Sequence, residues 1–428
     1  MKKSLLAIAA ISAFASAAQA QSSVTVYGLI DAGIMGTTNN GNINTTNFGT
    51  STNPTNGAGQ KNGSAVGFMT GGESQSRIGF KGSEDLGGGT KAIFLLEQGF
   101  NPMTGNSANS GLAGSATRSG GTYGNSFGDT ALQGQLFNRG AYAGLSNDKY
   151  GTLTAGRQQN LMLDNIPGYD PVNAQMFSPL AYSGSYGGAG TTDESRINQA
   201  FKYVYKNSGF NANLLYAPGG VSASSGTGAS QGIQAGYETA KWGVQAIYSR
   251  TSDATALTAS IVPNTVDVKL ENVAATQITG KYEITDNLGF KIGYERMGVS
   301  TPSNFQNYSG MGSLPSGYNV GVLSAYTGAN TNSNVWWAGF NYSFTPAIKG
   351  SIGYYGKSQL ANGNVASGTQ SIESAMVEYY MSKRTNLYVA VSNANYGGAQ
   401  QIAPATGSPI SNTIGNAQVY GIGMRHAF

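Results

Sequence analysis

Residues 418–428 read QVYGIGMRHAF, and the chain stops on the aromatic ring of Phe428. Tyr420, Ile422, Met424 and Phe428 fall on alternate positions, with Gly421, Gly423, Arg425 and Ala427 between them. Most domains end in a few polar, loosely held residues. A chain that ends inside an alternating strand needs something for that strand's backbone to pair with. The same period-two pattern recurs upstream. Leu288, Phe290, Ile292 and Tyr294 alternate with Gly289, Lys291, Gly293 and Glu295. Trp336, Ala338, Phe340, Tyr342 and Phe344 alternate with Trp337, Gly339, Asn341 and Ser343, and Phe201, Tyr203 and Tyr205 with Lys202, Val204 and Lys206. Such alternation reads as strands with one apolar and one polar face.

The connections between these strands are of two kinds. Seven are short turn signals, at 83–91, 146–151, 206–210, 238–243, 285–289, 345–350 and 382–386. Eight are long and rich in Gly, Ser, Asn and Thr, spanning roughly 36–70, 101–136, 158–195, 218–230, 251–274, 299–333, 358–371 and 395–413. The two kinds alternate strictly and imply sixteen strands, from Val24 to Phe428. An even number of antiparallel strands with short turns at one end and long loops at the other is the layout of an outer-membrane β-barrel. In lipid every backbone donor must be paired, so a sheet spans a membrane only by closing on itself. The last strand is therefore expected to pair with the first, with Phe428 on the lipid face. A soluble sandwich or a β-solenoid would also alternate. A solenoid should carry a fixed repeat, which the sequence lacks, and a soluble sandwich with so few charges would be unusual.

Composition agrees. Charged residues make up 10% of the chain, against about 25% in an average globular domain. Cysteine is absent, which excludes a disulfide framework and thiolate chemistry. Lys2 and Lys3, the apolar run Leu5–Ala15 and the small-residue site Ala18-Gln19-Ala20 read as an export signal, residues 1–20, removed to leave a single barrel domain at 21–428. Without those two lysines, basic and acidic residues nearly balance, which argues against a nucleic-acid partner.

Enzyme chemistry has little to work with. His426 is the only histidine and sits on the last strand, so a Ser–His–Asp site would have to use it and a metal site would rest on carboxylates alone. The run DLGGGTK lies in a hairpin rather than between a strand and a helix, and is no phosphate loop. No catalytic residue, metal or cofactor is expected. The informative charges are those that parity turns inward, because Arg or Lys on the lipid face costs roughly 2–4 kcal/mol at mid-membrane. In SRIGFKG, Ile78 and Phe80 take the lipid face, so Arg77 and Lys81 point into the lumen. In ESRINQAFKYVYK, the outward Phe201, Tyr203 and Tyr205 place Arg196 and Lys202 inside. In FNRGAYAGL, an outward Tyr142 would put Arg139 inside with Ala141 and Ala143. The third long connection, 158–195, is apolar enough to fold against the inner wall and carries Asp164 and Asp170. A sixteen-strand barrel is wide enough to leave an aqueous channel. A loop folded inward would narrow it and set those acids against the basic wall, and charges at a constriction set selectivity.

The stretches VTVYGLIDAG (24–33), SRIGFKGSEDLGGGTKAIFLLEQGF (76–100), FNRGAYAGLSNDKYGTLTAGRQ (137–158) and VYGIGMRHAF (419–428) resemble the trimeric general porins of Gram-negative outer membranes, nearest the beta-proteobacterial branch. The resemblance runs in order along the chain and is weakest in the outer loops. It implies a homotrimer of sixteen-strand barrels, each a water-filled pore for small hydrophilic solutes and ions, with loop 3 folded into the lumen opposite arginines. Arg77, Arg139 and Arg196 match that cluster, and Phe428 is similar to the signal read by the barrel-assembly machinery. Outer-membrane lipid and lipopolysaccharide are the implied surroundings. Arg157 shares the parity of Leu153 and Ala155, which points it to the outer face. Leu95 departs from the polar residue many relatives carry, and the first loop is long. The expected function is passive diffusion through an outer-membrane channel with a preference for anions. A substrate-specific channel and a loop-plugged structural or adhesive barrel remain the alternatives.

Overall fold

The structure is a computed structural model that describes residues 23–40, 63–103, 105, 107, 136–180, 195–219, 228–259, 265–302, 319–325, 330–362, 366–399 and 415–428. The expected export signal at 1–20 lies outside the described residues, as do parts of the long connections. Eighteen strand segments occur in the order β1 (Ser23–Asn40), β2 (Gly63–Thr70), β3 (Arg77–Gly87), β4 (Thr90–Gly99), β5 (Gly140–Asn147), β6 (Gly151–Gln159), β7 (Arg196–Asn207), β8 (Phe210–Ala217) and β9 (Ser230–Glu238). They continue with β10 (Trp242–Ala259), β11 (Thr265–Glu283), β12 (Leu288–Ser300), β13 (Asn319–Ala325), β14 (Thr331–Ser343), β15 (Ile348–Leu360), β16 (Gly368–Tyr380), β17 (Thr385–Gly398) and β18 (Asn416–Ala427). The described helix is α1 (Leu161–Tyr169), which follows β6.

These segments build a closed antiparallel wall of sixteen strands. β2 and β3 are two halves of one strand: β1 pairs with β2 from Ala32 upward and with β3 from Leu29 downward. β13 lies beside the top of β11 in parallel and is no part of the wall, while β12 pairs directly with β14. The wall closes where β18 meets β1, from Leu29 opposite Ala427 to Thr38 opposite Gln418. At the seam the Phe428 amide donates to the Gly28 carbonyl (3.0 Å) and the Gly28 amide to the Phe428 carbonyl (3.3 Å). The expected closure on Phe428 is what the structure shows.

Several long connections are shorter than expected because strand pairing continues beyond them. β1 runs on to Asn40, and β10 and β11 extend into 251–274 as a tall hairpin whose register breaks once, between Thr251 and Ala254. The Thr-, Val- and Ala-rich sequence there keeps its β-character above the lipid.

Outward positions carry the exposed apolar side chains, among them Val26, Ile30, Ile34, Val389, Ile422 and Met424. Near the short turns these give way to aromatic pairs: Tyr237 with Trp242, Phe290 with Phe340, and Tyr342 with Phe344. Such a girdle marks the membrane interface. The buried apolar core lies inside the wall, where α1 and the residues after it pack on the inner face. Leu161 and Met162 sit against Ile197, Leu215 and Ile247; Ile166 and Leu180 against Trp337 and Tyr355; Phe177 with Met35, Met69 and Tyr388. Full burial of each such side chain contributes about 1.5–3 kcal/mol, so loop 3 is bound to the wall by packing along its described length.

Phe428 lays its ring over Gly28, where a Cβ would stand 2.4 Å from the ring and 2.6 Å from the Arg77 carbonyl oxygen. The carbonyl belongs to β3, on the other side of β1 from the seam, and cannot yield without opening the β1–β3 ladder. Gly28→Val is therefore expected to cost about 1–3 kcal/mol. Urea unfolding in lipid vesicles, followed by the gel-mobility difference between heated and unheated protein, would show the loss; an unchanged midpoint would mean that the seam tolerates a side chain.

Candidate channel constriction

Loop 3 is fastened to the wall by polar groups as well as by packing. Asn160 caps α1, its Oδ1 accepting the Leu163 amide at 2.7 Å. Pro167 lacks the amide that would continue the helix, and α1 ends two residues later. The carbonyls at the end of the helix and just beyond it are taken up by wall side chains. The Trp337 indole donates to the Tyr169 carbonyl (3.1 Å), Lys291 Nζ to that of Asp170 (2.9 Å), and Asn341 Nδ2 to that of Pro171 (2.6 Å). The Ser374 hydroxyl donates to the Phe177 carbonyl. Gly339 makes room for Pro171, whose ring atoms would lie 2.5 Å from a Cβ there.

Asp170 is the centre of this fastening. It is fully buried, accepting hydrogen bonds from the Tyr355 and Ser178 hydroxyls and from the Val172 amide (3.2 Å). Burial pushes its carboxyl above the ordinary value, and the two hydroxyl bonds pull the other way. The sequence reading set Asp170 in the channel opposite the arginines; the structure puts it within the packed inside of the loop, with no face to the channel. The expectation missed this because parity has no meaning off a strand, and because Tyr355 lies 185 residues away.

The opposite wall carries the cations. Arg139 donates from Nε to Glu97 at 2.6 Å and also bonds Gln75, and Arg77 reaches the same carboxylate at 3.9 Å. Tyr27 donates to Glu97 at 2.8 Å, and Lys81 lies 5.2 Å from the centre of the Tyr27 ring. Arg139 and Arg425 both lie within electrostatic reach of Arg77. Arg425 pairs with Glu73 at 3.6 Å.

Glu73 belongs to residues 71–76, the break between β2 and β3. This insert turns inward because its amides bond the buried Asp31: Glu73 N at 2.9 Å and Ser74 N at 2.7 Å, with the Tyr388 hydroxyl at 2.6 Å. Its own carbonyls receive loop 3, Glu73 O taking the Gln175 amide and Gly72 O the Met176 amide, both at 3.0 Å. Glu73 also accepts from Asn386 at 2.7 Å. Burial raises its carboxyl to about 7, against the opposing pull of Asn386 and Arg425.

Of the remaining expected residues, Lys202 and Asp164 meet beside α1. Lys202 donates to Asp164 at 2.7 Å and to the Gln159 carbonyl at 3.1 Å. Arg196 opens β7 and is buried, but the ladder shifts between Gly156 and Gln158, so Ile197 is the residue turned toward α1, and Arg196 lies opposite Gln159 on the outer face of the wall; the bulge breaks the parity with Lys202 that would set Arg196 inside. A second parity assignment is reversed on β5. Leu95 pairs with Tyr142 in register, Glu97 with Gly140, and Ala143 with Ala155. Tyr142 therefore faces the lumen, within electrostatic reach of Glu97 and Asp164, and Ala141 and Ala143 face outward with the exposed Leu145. Arg139 precedes the strand, so its direction carried no information about the strand's parity. Sequence reasoning also missed Glu97, Arg425 and Glu73. An inward parity shared with Leu95 could have found Glu97, and the alternation with Met424 could have found Arg425.

A family model described as Gram-negative porin matches residues 7–399. The chain belongs to the Gram-negative porin family. An outer membrane porin protein of Bordetella pertussis is 28% identical over the full length of both chains. An anion-selective porin from Comamonas acidovorans has the same fold, with a TM-score of 0.64, 18% identity, and coverage of 95% of this chain and all of that one. OmpT of Vibrio cholerae, in its trimer form, has a TM-score of 0.59 at 14% identity, covering 95% of this chain and 99% of that one. The protein is thus an outer-membrane porin, a β-barrel that forms a passive channel.

Glu73 ties pH to the charge of this porin's lumen. Its raised value means that the carboxylate is charged above about pH 7 and neutral below it. As pH falls from 8 to 6 the negative partner of Arg425 is lost, so the ratio of anion to cation permeability should rise. Reversal potentials in a salt gradient would record that rise, and Glu73→Gln should hold the ratio at its low-pH value throughout. The same sign governs stability: between the ordinary carboxylate value and about 7, folded Glu73 binds the proton more tightly than unfolded, so its contribution falls as pH rises through that window.

Removing the Tyr355 hydroxyl should loosen the loop. Tyr355→Phe takes a buried partner from Asp170 and is expected to cost about 1–3 kcal/mol. Faster amide exchange at 170–178 with unchanged exchange in the wall strands would show it.

Proposed function

We propose that this porin conducts small hydrophilic solutes and ions with a preference for anions. The observation that carries the reading is the cluster of Arg77, Arg139 and Arg425 about Glu97 and Glu73, opposite a loop whose Asp170 carboxylate is buried. Lys81 and Lys202 add to the basic side, while Asp164 is held by Lys202. Removing Asp170 from the channel tips the lumen further toward positive charge. Charges at a constriction act through the local potential, so anions are concentrated there. The Comamonas neighbour, named as anion-selective, supports the reading.

Three copies are proposed to assemble through the outer face of β4 to β6. Small residues there, Ala141, Ala143 and Ala155, allow close approach, and Arg157 faces outward with bonds to the Asn138 carbonyl (2.7 Å) and Asn198 (2.8 Å). A polar outward group of this kind suits a protein neighbour better than lipid. The trimeric OmpT neighbour supports this assembly. Arg250 and Arg296 face outward from β10 and β12, where they suit the phosphates of lipopolysaccharide. The exposed Phe428 ring suits recognition by the barrel-assembly machinery.

The test is Arg77→Gln with Arg139→Gln, recorded in planar bilayers under a salt gradient. The reversal potential should move toward cation preference with the barrel intact. An unmoved potential would remove both residues from the determinants of selectivity.

A further inference from the structure

A second polar site lies at the short-turn end of the lumen, beneath Pro171–Asn173. It is a cavity of about 290 Å³. Its lining brings together four carboxylates, Glu73, Glu283, Asp286 and Glu378, against two amines, Lys291 and Lys349. The Lys291 amine is committed to the Asp170 carbonyl, and the Lys349 amine lies 5.0 Å from the centre of the Tyr380 ring. With Glu73 paired to Arg425, three carboxylates remain against two amines, so the cavity is acidic, the opposite of the arginine cluster above it.

Two oxygens lining the cavity have nothing to bond. Asn341 and Ser351 are directly opposed in the β14–β15 ladder. Both face inward, since Phe340 and Ile352 beside them are exposed on the outer face. Ser351 is 6% exposed, and its Oγ has no hydrogen-bond partner; nor has Asn341 Oδ1. The orientation of the Asn341 amide is fixed by its Nδ2 bond to the Pro171 carbonyl, which can only accept. Its free atom is thus an acceptor. A buried polar group without a partner is costly, and two on adjacent strands beside Glu378 describe a place for a donor. Two unfilled oxygens and a carboxylate side by side match the three N–H donors of a primary ammonium.

We propose that this cavity binds a small organic solute through a primary ammonium group. The ammonium donates to Asn341 Oδ1, to Ser351 Oγ and to the Glu378 carboxylate, whose other oxygen accepts from Tyr380. Such a solute reaches the cavity from the short-turn side without passing the arginines. An occupant stands at the exit of the channel, under loop 3.

The inference goes beyond channel activity and is tested by a readout that does not need current. Ligand-observed NMR of the full folded protein in detergent micelles, titrated with 1,4-diaminobutane, should show saturable binding. Tetramethylammonium, equal in charge per nitrogen but without N–H donors, should not saturate. Ser351→Ala, whose hydroxyl holds nothing else, and Glu378→Gln should each weaken diaminobutane binding on the order of tenfold. Absence of saturation, equal binding of tetramethylammonium, or either variant binding as tightly as the unaltered protein would overturn the proposal.

Discussion

Everything in this porin depends on the backbone pairing between its two ends. The Gly28 and Phe428 amides and carbonyls bond reciprocally, and above them β1 and β18 run in register for the height of the seam. In hydrocarbon no water can satisfy an open strand edge, so an unclosed wall would leave a row of unpaired groups. Closure fixes which side chains face lipid and which face water. It then fixes where charge can be carried, because only the lumen solvates it.

The interior is organised by a second constraint. A barrel of this width is hollow, and among the described residues its apolar filling is loop 3. The loop lies against the wall through Leu161, Ile166 and Phe177 and is held by polar bonds that end on four different strands. The broken strand at 71–76 supplies carbonyls for the loop's far end. Asp170 has a structural duty in this arrangement: its carboxylate orders Ser178, Val172 and Tyr355 together. That duty withdraws a negative charge from the channel and leaves the arginines less opposed. The fixing of the loop and the sign of the lumen thus come from the same residue. Farther down, the acidic recess beneath Pro171 gives the channel a polarity along its axis, basic at the loop and acidic at the exit.

The wall was largely legible in the sequence because membrane strands obey one rule at every position. Alternation in 288–295 and 336–344, with short turns between long loops, gave strand number, hairpins and closure. Where the rule lapses, reading failed. Arg139 stands before its strand, so extrapolating from it reversed Tyr142 and Ala143. Residues 71–76 leave the strand to bond Asp31, which no local pattern signals. Loop 3 was legible as an apolar segment, but its helix and the burial of Asp170 depend on Tyr355, Lys291 and Trp337, far away in sequence. Glu97 was within reach of parity; its pairing with Arg139 was not, since that needs the distance between two strands.

The most direct test of the account is single-channel current through the refolded, unaltered porin in a planar bilayer with a salt gradient across it. The account predicts ohmic steps that close in groups of three, with a reversal potential of the sign set by anion preference. Steps with a cation-selective reversal potential would contradict the part assigned to the arginine cluster, and insertion without current would contradict the open passage beside loop 3.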